Sequence, residues 1–485
     1  MLDGMASSSL ATIQIQSGTM ETLINLKEDY SHAPLLTTGW DISADGTTYT
    51  FPLRQGVLFH NGKEMTADDV VASTKRFLEV TTRAAQFALL DSYTAADKYT
   101  VVFKLKKPSA AFLDALVSFA SGLYIMPKEI IEGKKANELT VADMIGTGPY
   151  KLVEAKLGDY VRTVRFDKFV PLPEPGSGMV GGKIPYFDEI IWYSVPEAAT
   201  RVAGIETGTY DWVEALPATA YDELKASAGV TPYVSKPCDW MIYLFPNHAD
   251  KFAGNVKFRQ AIAAMLDMDE IGMAVTGGVK EFYTLDASLW VPESTWHVED
   301  ETAKKLYNEK NLDKAKQLLK ESGYAGEQIN MSTNKSYDWM YKTVLSAADQ
   351  MQKKLGINTN VVVMDWAAQQ KQWDETAGWQ FSISGVRGQA IAAPGDLVGY
   401  WSSKTKGGLN LHYNNPAMDK LVEEEQAAAT TEQRKAAYAK IQALYYTEFP
   451  WMKTITTYGL EAHRSNIVGI RPWYRSFRFW NVWRS

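Results

Sequence analysis

A mixed α/β fold in two or three domains is what this sequence predicts, on three observations. Residues 327 to 365 read strand, helix, strand, a unit that implies parallel pairing with a right-handed crossover. Short apolar or alternating runs recur between amphipathic stretches, each bounded by Gly, Pro or Asn. The 485 residues, 46% of them hydrophobic, give enough chain for more than one core.

Residues 5 to 30 place Ile13, Ile15, Met20, Leu23 and Ile24 in a helix-like segment. Asp45-Gly46 is a turn signal, because glycine takes positive φ at no steric cost. Tyr49, Phe51 and Leu53 then alternate with smaller or polar residues, the period of a strand with one buried face. Pro52 should keep that strand away from the centre of a sheet. Asn61-Gly62 punctuates again after Val57 and Phe59. Thr66 precedes Val70, Val71, Phe77 and Leu78 at helical spacing, and Asp69 completes a variant capping box. Asp68 and Asp69 also suit the positive end of the helix dipole. Residues 99 to 105 alternate as a strand, and Ala110 to Val117 reads as a short apolar helix. In Ile145-Gly146-Thr147-Gly148-Pro149-Tyr150, the glycines and proline dictate a tight turn, from which Tyr150 and Leu152 enter a strand.

Taken together, this stretch resembles the signature region of the family 5 extracellular solute-binding proteins, the receptors of ABC importers for peptides, nickel chelates and some glycans. The resemblance rests on Trp40, Asp45-Gly46, Phe51-Pro52-Leu53-Arg54, Phe59-His60-Asn61-Gly62 and Thr66-Ala67-Asp68-Asp69-Val70, in order and without gaps, and again on Gly146-Thr147-Gly148-Pro149-Tyr150. It implies a two-lobed periplasmic-binding-protein-like fold of type II with an extra subdomain in lobe one. Lobe one is then expected over 1–237 and 458–485, its subdomain over approximately 31–144, and lobe two over 238–457. Family members usually begin with a leader, then a strand, then a Leu-Asp-Pro-like stretch, which Leu2-Asp3-Gly4 resembles. Met1-Leu2-Asp3-Gly4 has no basic n-region and no apolar h-region, so no signal peptide is expected in this chain. Either a trimmed chain or a displaced gene start would account for that.

Further along, residues 161 to 169 alternate as a strand, and 171 to 182 form a loop. Gly176-x-Gly178-x-x-Gly181 in that loop matches a dinucleotide fingerprint, but it lacks the strand before and the helix after that the mechanism needs. Lys183 is followed by Ile184, which excludes a phosphate loop. No cofactor is expected. Residues 189 to 195 are a continuous apolar run, as in a strand buried on both faces. A helix should run from 197 to Gly208, and another buried strand from Trp240 to Phe245. By resemblance, the segment 236–247 is the first interlobe crossing. Lobe two opens with a helix from Lys257 to about Val275. Leu312, Ala315, Leu318 and Leu319 line one side of a later helix that stops at Gly323. Residues 417 to 446 are helical with a break at Ala429-Thr430-Thr431, and Phe449-Pro450-Trp451 resembles the return to lobe one.

Composition narrows the function. A net charge of −7 leaves no basic footprint for nucleic acid, and no run of 18 apolar residues spans a bilayer. The single Cys238 excludes an intrachain disulfide and reads as a small buried hydrophobe. No His-Glu-x-x-His or Gly-x-Ser-x-Gly motif is present, and His32, His60, His248, His297, His412 and His463 show no metal-ligand spacing. His60 reads as a hydrogen-bonded structural side chain. Neither a catalytic nor a metal site is expected. Binding in a cleft with hinge closure is the better account.

In peptide-binding family members, the segment equivalent to 379–401 carries an acid that pairs with the peptide amino terminus. On Ile383-Ser384-Gly385, this chain places Val386-Arg387 there instead. An arginine repels an ammonium but can fork onto a carboxylate or phosphate. The alternative is an Arg387 that is solvated or paired with Asp396. Family position adds Ser8, Thr12, Trp240, Tyr243, Trp366, Gln389 and Trp401 as candidate ligand contacts. The expectation is a monomeric, periplasmic or extracellular membrane-associated receptor that hands a small-molecule or peptide ligand to an ABC transporter permease. The competing reading is a sensor or chaperone-like protein that docks a membrane partner without transport.

Overall fold

The computed structural model describes the chain apart from residues 1, 8, 82–83, 118–121, 137, 388–393, 406–407, 472 and 474–477. Two strands organise it. Val230–Pro246 and Met452–Arg464 pair antiparallel along most of their length. Residues 230–235 lie against 459–464, beside Trp212–Leu216, whereas 241–246 lie against Phe381–Val386. The register shifts between Ser235 and Trp240, where Pro237 supplies no N–H to the ladder. The two strands thus carry the chain twice between two lobes of a mixed α/β fold. Sequence alone suggested only the Trp240 to Phe245 portion as strand, because Pro237 interrupts the pattern.

On the far side, Ile329–Thr333 pairs parallel with both Thr359–Val363 and Phe381–Val386. Helix Asp338–Leu355 makes the crossover and ends on Gly356 at φ 68°. This is the βαβ unit that the periodicity predicts. Helices Pro416–Gln426 and Thr431–Glu448 break where Ala429-Thr430-Thr431 indicated, with Gln433 closing a capping box on Thr430. The helix expected from 257 to 275 is two, Val256–Met265 and Met268–Thr276, because the Asp267 carboxylate caps the second. The helix-like segment of residues 5 to 30 is helical only over Leu10–Ser17, and Ile24–Leu26 is a strand.

In the other lobe, a four-stranded sheet runs in the order Asp41–Ile42, Thr48–Pro52, Thr100–Leu105, Leu90–Asp97. Thr48–Pro52 is second in that order, yet its outer neighbour reaches only Tyr49 and Thr50. The strand is thus interior, not at the edge expected, and Pro52 is accommodated where its outer side meets the irregular segment 37–39, Thr38 N donating to Pro52 O at 2.8 Å. Asp69 is fully buried: one carboxylate oxygen accepts from the backbone and hydroxyl of Thr66 at 2.9 and 3.0 Å, the other from Lys128 N and Lys63 Nζ. The capping carboxylate of helix Ala67–Val80 thus also pairs with a part-exposed lysine. A three-stranded sheet, Tyr150–Lys156, Tyr160–Arg165 and Glu189–Tyr193, completes this lobe. Glu189–Tyr193 does not have two buried faces as expected. Ile191 is 41% and Tyr193 53% exposed, because the strand ends its sheet beside an open cavity.

His60 explains why two distant motifs occur together. Its Nδ1 accepts from Gly146 N at 3.2 Å while Nε2 donates to Gly148 O at 3.0 Å, so one neutral tautomer ties both motifs. Burial pushes its pKa down to about 4, against the Gly148 bond. His248, buried beside Arg259, is lowered to about 3. Unfolding restores both to about 6.5, so below that pH the unfolded chain binds more protons than the folded one. Stability should therefore fall as pH drops from about 6.5 to 4, and His60→Gln should lose less over that window. Urea midpoints across the range check it.

Candidate functional site

The three parallel strands end at one edge, and each delivers an aromatic or basic side chain just beyond its carboxyl end. Tyr337 and Trp339 follow Ile329–Thr333, Trp366 follows Thr359–Val363, and Arg387 follows Phe381–Val386. Ligands of open α/β sheets bind at this end. Trp240 joins them from the antiparallel crossing strand, immediately after the register break. The Trp240 and Trp339 rings lie 4.9 Å apart, Tyr337 stands edge-on to Trp366 at 5.6 Å, and the Arg387 guanidinium stacks 3.6 Å from the Trp240 centroid.

Arg387 is 23% exposed and its charge faces Asp239 Oδ1 at 3.4 Å. That distance exceeds the roughly 2.7–2.9 Å of a charge-assisted hydrogen bond. The pair is loose. Asp239 is thus a partner of Arg387 that the sequence did not suggest, and the Asp396 side chain considered from sequence lies outside the described residues. Stacking on Trp240 fixes the plane of the guanidinium.

Buried polar groups set the loops beneath. Asn334 donates to Gln369 Oε1 at 2.7 Å and accepts from Tyr337 N, while Gln369 donates to Ser382 Oγ and Ile383 O. The Trp373 indole adds a bond to the same Ser382. Gly385 makes room for the aromatics: a Cβ there would lie 3.0 Å from Trp240 Cε3 and from Met241 O, and 3.1 Å from Trp339. Gly385→Ala should therefore displace both indoles, shift the tryptophan emission and cost about 1–3 kcal/mol in urea unfolding.

The other sequence candidates are dispersed. Tyr243 and Trp401 lie in the core, fully buried and edge-on to Trp451. They support the crossing strand and offer no surface to solute in this conformation. Thr12 lines a cavity of about 870 Å³ inside lobe one, between the outer strands Glu189–Tyr193 and Trp212–Leu216. Trp240, Trp366 and Arg387 do not line it. Ser8 and Gln389 lie outside the described residues. Sequence reasoning missed Asp239, Tyr337 and Trp339. The βαβ pattern held the signal for the last two, because they open its helix. No acid/base pair was picked out by sequence, and no metal-ligand group occurs among the described residues.

The profile of the bacterial extracellular solute-binding proteins, family 5 Middle, matches residues 32–408. The chain belongs to this family. Heme-binding protein A of Haemophilus influenzae is 28% identical over 472 residues, covering 90% of this chain and 81% of that protein. Glutathione-binding protein GsiB of Salmonella typhi is 25% identical over 486 residues, covering 96% and 89%. The same fold is seen in the structure of the binding protein AgaA of A. tumefaciens R10 in complex with agropinic acid, with a TM-score of 0.80 at 20% identity over 100% and 96% of the two chains. As a family 5 solute-binding protein, this chain is one of the periplasmic or extracellular receptors of ABC importers. None of its described helices is long and apolar enough to cross a membrane.

Proposed function

We propose that this receptor captures a small organic anion at the edge where the parallel strands end, and delivers it unaltered to a membrane permease. The observation that carries the reading is Arg387 stacked on Trp240 at the register break between the lobes. Its fork, held flat by the Trp240 ring, suits a carboxylate. Trp339, Tyr337 and Trp366 supply apolar faces for the rest of the solute. A free peptide amino terminus is disfavoured beside a guanidinium.

In this reading the lobes hinge at 236–239 and 458, the residues left out of the ladder between Ser235–Gly459 and Trp240–Thr457. Closure there would bury the solute against lobe one, and differential contacts in the shut state would drive it. The ligands named for two relatives, heme and glutathione, both carry carboxylates, which is consistent with this choice. Arg387 and its aromatic neighbours are ligand-binding groups in this reading, and Thr12 is not. Calorimetric titration with a panel of mono- and dicarboxylates against matched neutral amides tests it: acids should bind and amides should not. Equal binding of both would remove Arg387 from the site.

A further inference from the structure

We propose that Arg434 is a latch that holds the two lobes shut, independently of the solute. It sits on helix Thr431–Glu448, only 2% exposed, and divides its guanidinium between two carboxylates of opposite lobes. Nε donates to Glu425 Oε1 at 2.8 Å within its own lobe, and Nη1 donates to Asp114 Oδ2 across the interface. Trp296 lies 4.7 Å from the guanidinium, and Tyr438 bonds both Arg434 and Glu425. Beside this centre, Ala110 N donates to Ala428 O at 3.1 Å and Ser109 Oγ to Gln426 O at 3.2 Å.

Release costs little for so buried a group, because each charge keeps a partner when the lobes part. Arg434 retains Glu425, and Asp114 retains His32, whose Nε2 is 2.9 Å from Asp114 Oδ1. A buried pair with one partner removed is strongly destabilising, whereas here Arg434 keeps a carboxylate and Asp114 keeps an imidazole nitrogen within 2.9 Å. Glu425 also lies near Gly395, where an added Cβ would stand 3.6 Å from Oε2. Gly395 belongs to the short helix Pro394–Val398, which follows Arg387 in the chain, so the latch abuts the segment that carries the solute contact.

The inference rests on the two-lobed hinge reading but not on the identity of the solute. Small-angle scattering of ligand-free protein compares the wild type with Asp114→Asn and Arg434→Lys. Asp114→Asn keeps the side-chain shape and removes the charge. Arg434→Lys keeps a cation beside Glu425 but lacks the second arm that reaches Asp114. Each folded variant should raise the open-to-closed ratio by about tenfold or more, the scale of a hydrogen bond to a charged group. The double variant should open no further than the more open single one. Unchanged scattering in either folded variant, or additive opening in the double, overturns the latch. Carboxylate titration of the same samples reads the Arg387 site separately, so loss of one reading is distinguishable from loss of the other.

Discussion

Lys183→Ala is expected to lower stability by about 3–5 kcal/mol, among the largest effects of any single change in this protein. Lys183 and Glu21 are each 1% exposed and meet at 2.8 Å. Glu21 also accepts from the Thr147 hydroxyl at 3.0 Å, and the Lys183 ammonium lies 5.1 Å from the Trp480 ring centroid. Removing the lysine leaves a carboxylate in the core with Thr147 as its remaining partner above. The desolvation cost of Glu21, no longer offset, is the origin of the loss. Lys183→Met combined with Glu21→Leu should recover most of it, since an apolar pair of similar size needs no solvation. Urea midpoints of the two singles and the double give the coupling directly. A near-neutral Lys183→Ala would mean that Glu21 reaches water.

Arg387→Ala should weaken a carboxylate solute by about 2–4 kcal/mol, roughly 30- to 1000-fold in Kd, and leave the urea midpoint nearly unchanged. Two features favour an effect on binding rather than folding. The side chain is part-exposed, and its ion pair with Asp239 is long at 3.4 Å. Trp240→Leu should weaken the same solute less, because it removes the platform and leaves the charge. Arg387→Lys should recover only part of the affinity, because an ammonium lacks the planar fork. Calorimetry on the three variants orders them, and an unchanged Kd in Arg387→Ala excludes the arginine from the site.

Much of the scaffold was legible because it depends on local pattern. The capping box at Thr66, the stop at Gly356 and the parallel βαβ unit follow from residues within a few positions of one another. What failed was set by distant partners. Lys183 entered the sequence reading only as the residue that excludes a phosphate loop, because its carboxylate partner lies 162 positions away. The apolar run at 189–195 suggested two covered faces, but the strand ends its sheet, and nothing local reveals that. Arg387 and Trp240 were found separately, 147 positions apart, and only the pairing of their strands brings them together (Met241 opposite Val386). Tyr243 and Trp401 were misplaced for the converse reason: an aromatic near a crossing can equally fill the core behind it.

The most direct test is native mass spectrometry of freshly purified wild type and Arg387→Ala, with the bound molecule then released and weighed. The account predicts a one-to-one complex with an organic acid in the wild type, its loss in the variant, and a released mass identical to that of the compound supplied. A transformed product, or the same occupancy in both proteins, would contradict it.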